Sequence, residues 1–152
     1  MKDLHGHAST DVAAPIEECF ALLEALDRYP AWYPEVVAEA TVLDAGADGR
    51  AATVRTKLHV THGPLVKDFD LLLAVRLERP ATVTLTRIPR EQGDRETFEV
   101  TWRLAGDAIT HIELELDASL SVPRLVPLGG VGDAIAQGFV HAASRALGTP
   151  LQ

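Results

Sequence analysis

Arg87 and Glu96 are the polar residues best spaced for chemistry in this sequence. Alternate residues of a strand share a face, so Arg87 lies with Val83 and Leu85, and Glu96 lies with Phe98. The hairpin through residues 89–95 sets the two roughly opposite each other. As an inward pair at one end of an apolar interior, they would hold a carbonyl, phenolate or carboxylate of a ligand. As a rim pair in water, they would contribute at most about 1 kcal/mol. Both readings stand. Tyr29, Trp32 and Tyr33 bring three aromatic rings together, suited to a flat ligand, with tyrosine adding a hydroxyl handle. The alternative is a packed hinge, and Trp32 fits that role best. For an enzyme, Arg87, Glu96, Tyr29 and Tyr33 are the candidate catalytic groups.

The other polar residues form no such constellation. His59 and His62 lie three apart on a strand, hence on opposite faces, and cannot easily grip one ion. His5 and His7 share a face, but no acidic or cysteine partner is expected to complete a site. No metal and no cofactor is expected. Ser144 and His141 are three apart on a helix, and Asp133 is too distant to orient the histidine. Gly129, Gly130 and Gly132 follow no buried parallel strand, so they do not form a phosphate loop. Cys19, the single cysteine, sits between Ile16 and Phe20 as a small core residue.

These residues belong to a chain of 152, 47% hydrophobic and 24% charged, the size that one core can serve. Disorder and collagen-like repeats are excluded. We expect one domain over residues 1–152. The net charge of −8 makes nucleic acid and anionic membrane surfaces poor partners. The polar start MKDLHGHASTD lacks a signal-peptide core, and no apolar run approaches the roughly 18 residues of a membrane span. A cytoplasmic protein without stable membrane insertion is expected. The oligomeric state is open.

Periodicity supplies the elements. Residues 7–12 read as a strand and residues 15–26 as a helix, with Pro15 in its first turn and Glu17 and Glu18 at its positive end. Ile16, Phe20, Leu23 and Leu26 form its buried stripe. Asp27 is placed to cap a short second helix that Pro30 and Pro34 limit. From Val36 to Leu120 the chain reads as six antiparallel strands. Phe69, Leu71, Leu73, Val75 and Leu77 share one face, as do Phe98, Val100, Trp102 and Leu104, and Ile112, Leu114, Leu116, Ala118 and Leu120. Turn signals fall at residues 45–49, 62–64, 78–80, 91–94 and 106–107, which makes a meander. After Pro123 and Pro127 a long helix covers about 128–147, with Val131, Ile135, Phe139, Ala142 and Ala146 on one stripe. Gly138 inside it suggests close approach to the sheet.

The final hairpin presents a conflict. A two-residue Gly106-Asp107 turn would pair Trp102 with His111 and drive Glu113 and Glu115 into the interior. Burying two unpartnered carboxylates costs several kcal/mol, so one extra residue is expected, as a longer turn or a bulge.

Strand, two short helices, six-strand meander and long helix, with Ala14-Pro15-Ile16-Glu17-Glu18-Cys19-Phe20 and Asp27-Arg28-Tyr29-Pro30-Ala31-Trp32-Tyr33-Pro34, resemble the START-like (SRPBCC) superfamily, in its polyketide cyclase/dehydrase and lipid-transport branch. The resemblance covers nearly the whole chain. It implies an α+β helix-grip fold, a curved antiparallel sheet of about seven strands around the closing helix. It also implies a cavity for an apolar or aromatic small molecule, where periodicity alone leaves a solid core equally open. The residues expected to line it are Trp32, Tyr33, Phe69, Leu71, Leu73, Val75, Val83, Leu85, Arg87, Phe98, Val100, Trp102, Ile112, Leu114, Leu116, Val131, Ile135 and Phe139. The expected function is a carrier or binding protein for a lipid, isoprenoid or polyketide-like molecule. The alternative is a polyketide cyclase, aromatase or dehydratase acting in the same cavity, but the nearly all-apolar inward positions favour binding.

Overall fold

A computed structural model describes residues 2–46, 51–62, 65–122 and 127–148. Seven antiparallel strands form one open sheet: β1 (Lys2–Val12), β2 (Val37–Ala45), β3 (Ala51–His62), β4 (Leu65–Glu78), β5 (Thr82–Arg87), β6 (Thr97–Gly106) and β7 (Thr110–Leu120). Their order across the sheet is β1-β7-β6-β5-β4-β3-β2. β2 to β7 therefore pair in sequence as a meander, and β1 returns to pair with β7. The concave face receives α3 (Val131–Leu147), while α1 (Ile16–Glu24), a 3₁₀ turn (Leu26–Arg28) and α2 (Tyr29–Trp32) link β1 to β2. This is the α+β helix-grip fold.

The β6–β7 hairpin resolves the register conflict with a three-residue turn, residues 107–109. Gly106 pairs with Thr110, Leu104 with Ile112 and Trp102 with Leu114. The extra residue returns Ile112, Leu114 and Leu116 to the core and leaves Glu113 and Glu115 outside, where Glu115 accepts from Arg103 at 2.7 Å. Gly106 is required at this turn, because its φ of +128° suits glycine and a Cβ would overlap the Ile109 carbonyl. The hairpin also anchors the first helix. The Ile16 N–H donates to the Asp107 carbonyl at 3.0 Å, and buried Thr110 donates its hydroxyl to the Ala14 carbonyl at 2.7 Å.

Several boundaries differ from the periodicity reading. Pro15 is the N-cap of α1 rather than its first turn, and α1 ends at Glu24. Leu26 starts the 3₁₀ turn instead, and Asp27 caps nothing: Ala25 and Arg28 hold the two N-cap positions, without side-chain hydrogen bonds. α3 begins at Val131, after Gly130 with φ +78°, because the left-handed residue turns the chain into the helix there. The turn residues 47–49, Gly63, Pro64 and Pro123 lie outside the described residues.

The stripe of α3 is rotated from the expected one. Gly132, Ala136, Val140 and Ala143 are buried, and Ala146 is exposed. The reason is β1. Gly6 and Gly132 meet backbone to backbone, so that a Cβ on either would overlap the other strand's or helix's carbonyl. The His7 N–H, moreover, donates to Asp133 Oδ1 at 3.0 Å. The small residues thus face β1, and Ile135 and Phe139 tilt, half-buried, toward the middle of the sheet. Gly138 makes its close approach not to the sheet but to the Tyr33 hydroxyl.

Candidate functional site

Between the sheet and α3 lies an interior void of about 50 Å³, room for a few water molecules. β4 to β7 contribute Leu73, Leu85, Phe98, Val100, Trp102, Leu114 and Leu116, all on the inward parity of their strands, and α3 contributes Ile135 and Phe139. Tyr29 lines it from α2. The remaining wall is Leu26, expected only as part of a buried helical stripe, with Val37 and Ala40 of β2 and Val54, Thr56 and Leu58 of β3, which the sequence reading did not single out. The signal was present, since residues 54–60 alternate Val-Arg-Thr-Lys-Leu-His-Val.

Polar groups at this void are already occupied. Thr56 donates its hydroxyl to the Glu39 carbonyl at 2.9 Å. Tyr29, 4% exposed, donates to the Leu23 carbonyl at 2.6 Å. Burial pushes the Tyr29 phenol far above its ordinary range, against a smaller opposing pull from the Trp102 indole, so it stays protonated. Tyr29 is a positioned donor, not a base.

The expected residues divide into four groups, Trp32 and Tyr33 being the last. Tyr29, Leu73, Leu85, Phe98, Val100, Trp102, Leu114, Leu116, Ile135 and Phe139 border the void. Val83 and Ile112 are fully buried core, Val131 is buried at the start of α3, and Val75 is half-buried; none of these four borders the void. Phe69, Leu71, Arg87 and Glu96 line a separate, polar cleft at one end of the sheet.

In that cleft Arg87 does point inward, but its carboxylate partner is Asp94. Arg87 Nη2 lies 2.6 Å from Asp94 Oδ2, the two side chains being 8% and 11% exposed. Arg87 Nη1 donates to the Glu96 backbone carbonyl at 2.8 Å. The Glu96 carboxylate instead lies 3.5 Å from Lys67 Nζ and accepts from the Ser121 N–H at 3.3 Å. The loop folds back far enough for Asp94 to reach the guanidinium first, a path that strand parity does not encode. Arg87 beside it, then the N–H groups of Arg90 and Glu96, holds Asp94 down at about 2. Both oxygens of this carboxylate accept hydrogen bonds, and the pair clamps the 88–96 loop.

Trp32 and Tyr33 cover the void from outside without lining it. Their rings stack at 6.3 Å, and Trp32 also contacts Tyr29 at 4.7 Å, as a hinge residue would. Tyr33 meets Phe139 edge-on at 4.8 Å. Burial, with Glu35 adding to it, raises the Tyr33 phenol; Arg145 partly offsets this. Cys19 is buried, and burial pushes its thiol up.

Three of the six histidines have acidic partners, each across a strand pair: His5 with Asp117, His59 with Asp68 and His111 with Asp11. Register places these residues directly opposite each other on the outer face, which single-strand spacing could not show. Among the described residues no three metal-ligating side chains gather, and no helix is long and apolar enough to cross a membrane. His141 is exposed, and Ser144 donates to the His141 carbonyl at 2.9 Å within α3.

Solved structures share this architecture. A START superfamily protein from Mycobacterium smegmatis superposes with a TM-score of 0.74 at 18% identity, over 94% of this chain and 96% of that one. A major latex-like protein from Panax ginseng gives 0.69 at 8% identity, over 97% and 99%. An aromatase/cyclase from a Streptomyces species gives 0.55 at 15% identity, over 95% and 86%. At such identities the likeness is one of fold. No curated protein matches the chain. The model of the family described as polyketide cyclase/dehydrase and lipid transport matches residues 12–143. Strand meander, gripped helix and family model thus agree: the chain has the fold of the START superfamily structure and belongs to the polyketide cyclase/dehydrase and lipid transport family.

Proposed function

We propose that the protein binds a hydrophobic small molecule (a lipid, isoprenoid or polyketide-like compound) between the sheet and α3, as a carrier or binding protein. The observation that carries this is the void's lining. Its walls are aliphatic and aromatic, and its two hydroxyls, on Thr56 and Tyr29, already donate to backbone carbonyls. Such a surface rewards apolar burial and offers a reacting substrate no acid or base. Leu73, Val100, Trp102, Leu114, Ile135 and Phe139 are the proposed contacts. Small-molecule sites run from roughly 300 to 1,000 Å³, so side chains around the void must move when a ligand is held.

A cyclase or dehydratase reading would need a proton donor or acceptor in the void. Of its candidates, Arg87 and Glu96 belong to the polar cleft, Tyr29 already gives its hydroxyl proton to the Leu23 carbonyl, and Tyr33 lies outside. Native mass spectrometry of the purified protein tests the binding reading. It expects a co-purified apolar molecule, released on denaturation, or saturable binding of the neutral fluorescent probe N-phenyl-1-naphthylamine. Absence of both overturns it.

A further inference from the structure

We propose that the outer face of β1 and β7 carries a site for a divalent transition-metal ion, for which zinc is the best fit. His5 and His7 are its nitrogen ligands, Glu115 is its carboxylate ligand, and Asp117 is the group that orients His5. This face is the opposite side of the sheet from the void, so the site stands or falls independently of the binding reading.

Strand register brings these groups together. His5-Gly6-His7 sets two imidazoles on one exposed face, because alternate side chains of a strand point the same way. A strand rises about 3.3 Å per residue, so two rings two positions apart are near enough to lean over one ion. Directly across on β7, Asp117 pairs with His5 and Glu115 with His7. Opposed residues of an antiparallel pair hold their Cβ atoms about 5 Å apart. Two histidines on one strand and a glutamate on its neighbour thus supply three ligands, and a fourth position stays open to water. That is a donor set zinc accepts. Spacing along the chain did not reveal it, because Asp117 lies 112 residues from His5.

The His5–Asp117 contact is the preparatory feature. His5 Nδ1 lies 2.5 Å from Asp117 Oδ1. A histidine that donates one ring N–H to a carboxylate presents its other nitrogen as a lone pair, with tautomer and ring orientation fixed. Glu115 Oε2 accepts from Arg103 at 2.7 Å, and both side chains are about half exposed. An ion pair in water contributes at most about 1 kcal/mol, so it yields to a metal bond. The His7 backbone is already held, its N–H donating to Asp133 Oδ1 at 3.0 Å, and only its side chain has to turn. The donor atoms do not converge on one point as they stand; rotation of these solvent-facing side chains brings them in without moving either strand. With Asp133 beside His7 and Glu99 paired with Asp117 on β6, carboxylates outnumber the Arg103 guanidinium here, which favours a cation. The ligands flank Gly6, where β1 carries α3 backbone on backbone. An ion at this position staples to β7 the stretch of strand on which the helix rests.

Isothermal titration of the full chain with zinc chloride, in a buffer that does not chelate the metal, tests the site. One zinc is expected to bind per chain in the micromolar range. His5→Ala and His7→Ala, both at exposed positions, are each expected to abolish that event, and Asp117→Asn to weaken it about tenfold through loss of the orienting partner. His141→Ala, on the exposed side of α3, is expected to leave it unchanged. Urea unfolding supplies a second readout, since an ion bridging two strands binds the folded sheet and not the separated strands. Saturating zinc should raise the midpoint of wild type and of His141→Ala and leave that of His7→Ala where it was. Absence of saturable binding at millimolar zinc overturns the site. Binding that survives both His5→Ala and His7→Ala undiminished also overturns it, by placing the zinc elsewhere. Wild-type binding with an unmoved urea midpoint overturns it too, as an adventitious ion only.

Discussion

Two stretches of α3 six residues apart rest on different kinds of neighbour. At Gly132 the helix backbone lies on the backbone of β1, and at Gly138 it lies on the tip of one tyrosine side chain. An interior glycine costs a helix about 1 kcal/mol relative to alanine in either place. At Gly132 that cost secures the helix to the sheet, because two backbones have no rotamers with which to retreat. At Gly138 it makes a seat that a rotating side chain can leave. The same residue type therefore fastens one end of the helix to the sheet and leaves its middle resting on a single side chain.

The sharpest way to break this contrast is Gly132→Ala. A Cβ there overlaps the His5 carbonyl, and relief requires lifting α3 from β1. We expect a loss on the order of 3 kcal/mol, at the upper end of overpacking effects, read as a lower urea midpoint. Gly6→Ala should match it, and a loss below about 1 kcal/mol in both would mean the helix is not fastened there.

Gly106→Ala comes next, at about 2 kcal/mol, combining backbone strain at positive φ with overlap on the Ile109 carbonyl. Because the turn of the hairpin is hydrogen-bonded to the entry of α1, hydrogen exchange should quicken around Ile16 and Thr110 while the Gly6–Gly132 contact stays protected.

An acid titration probes the far end of the sheet. Asp94 is held at about 2, below its ordinary 3.8. A depressed carboxylate stabilises the fold above the unfolded value, and that contribution disappears as pH falls from near 4 toward 2. Wild type should therefore lose stability over that window more steeply than Asp94→Asn, as urea midpoints at successive pH values would show. Parallel curves would mean that the Arg87 clamp contributes nothing.

Gly138→Ala has the smallest expected effect on stability. The helix gains propensity, up to about 1 kcal/mol, and the displaced tyrosine gives part of it back. Thermal unfolding within a few degrees of wild type sharpens the contrast with Gly132. A collapse comparable to Gly132→Ala would erase it.

Much of this molecule follows from local pattern. Period-two alternation marked β4, β6 and β7, whose inward residues Leu73, Phe98, Val100, Trp102, Leu114 and Leu116 border the void, as do Ile135 and Phe139 from the helical stripe. The three-residue β6–β7 turn was legible because a wrong register would bury Glu113 and Glu115, an energetic cost that the residue types themselves declare. The β2 wall was harder to read. β2 is an edge strand interrupted by register shifts near Val37, Val42 and Asp44, which blur its alternation.

Parity, turn chemistry and composition are properties of neighbours in the chain, so the sequence by itself determined the strand meander, the closing helix and the apolar character of the inward face. Which groups meet across long separations belongs to the tertiary structure alone. Asp94 rather than Glu96 takes the Arg87 guanidinium because of the path of one loop. The α3 stripe turns toward β1 because two glycines let backbones touch. Tyr33 finds Gly138 only once β1, the sheet and α3 are assembled. Whether inward residues fill their space or border a void depends on the sum of side-chain volumes contributed by every element at once, and no local stretch of sequence contains that sum.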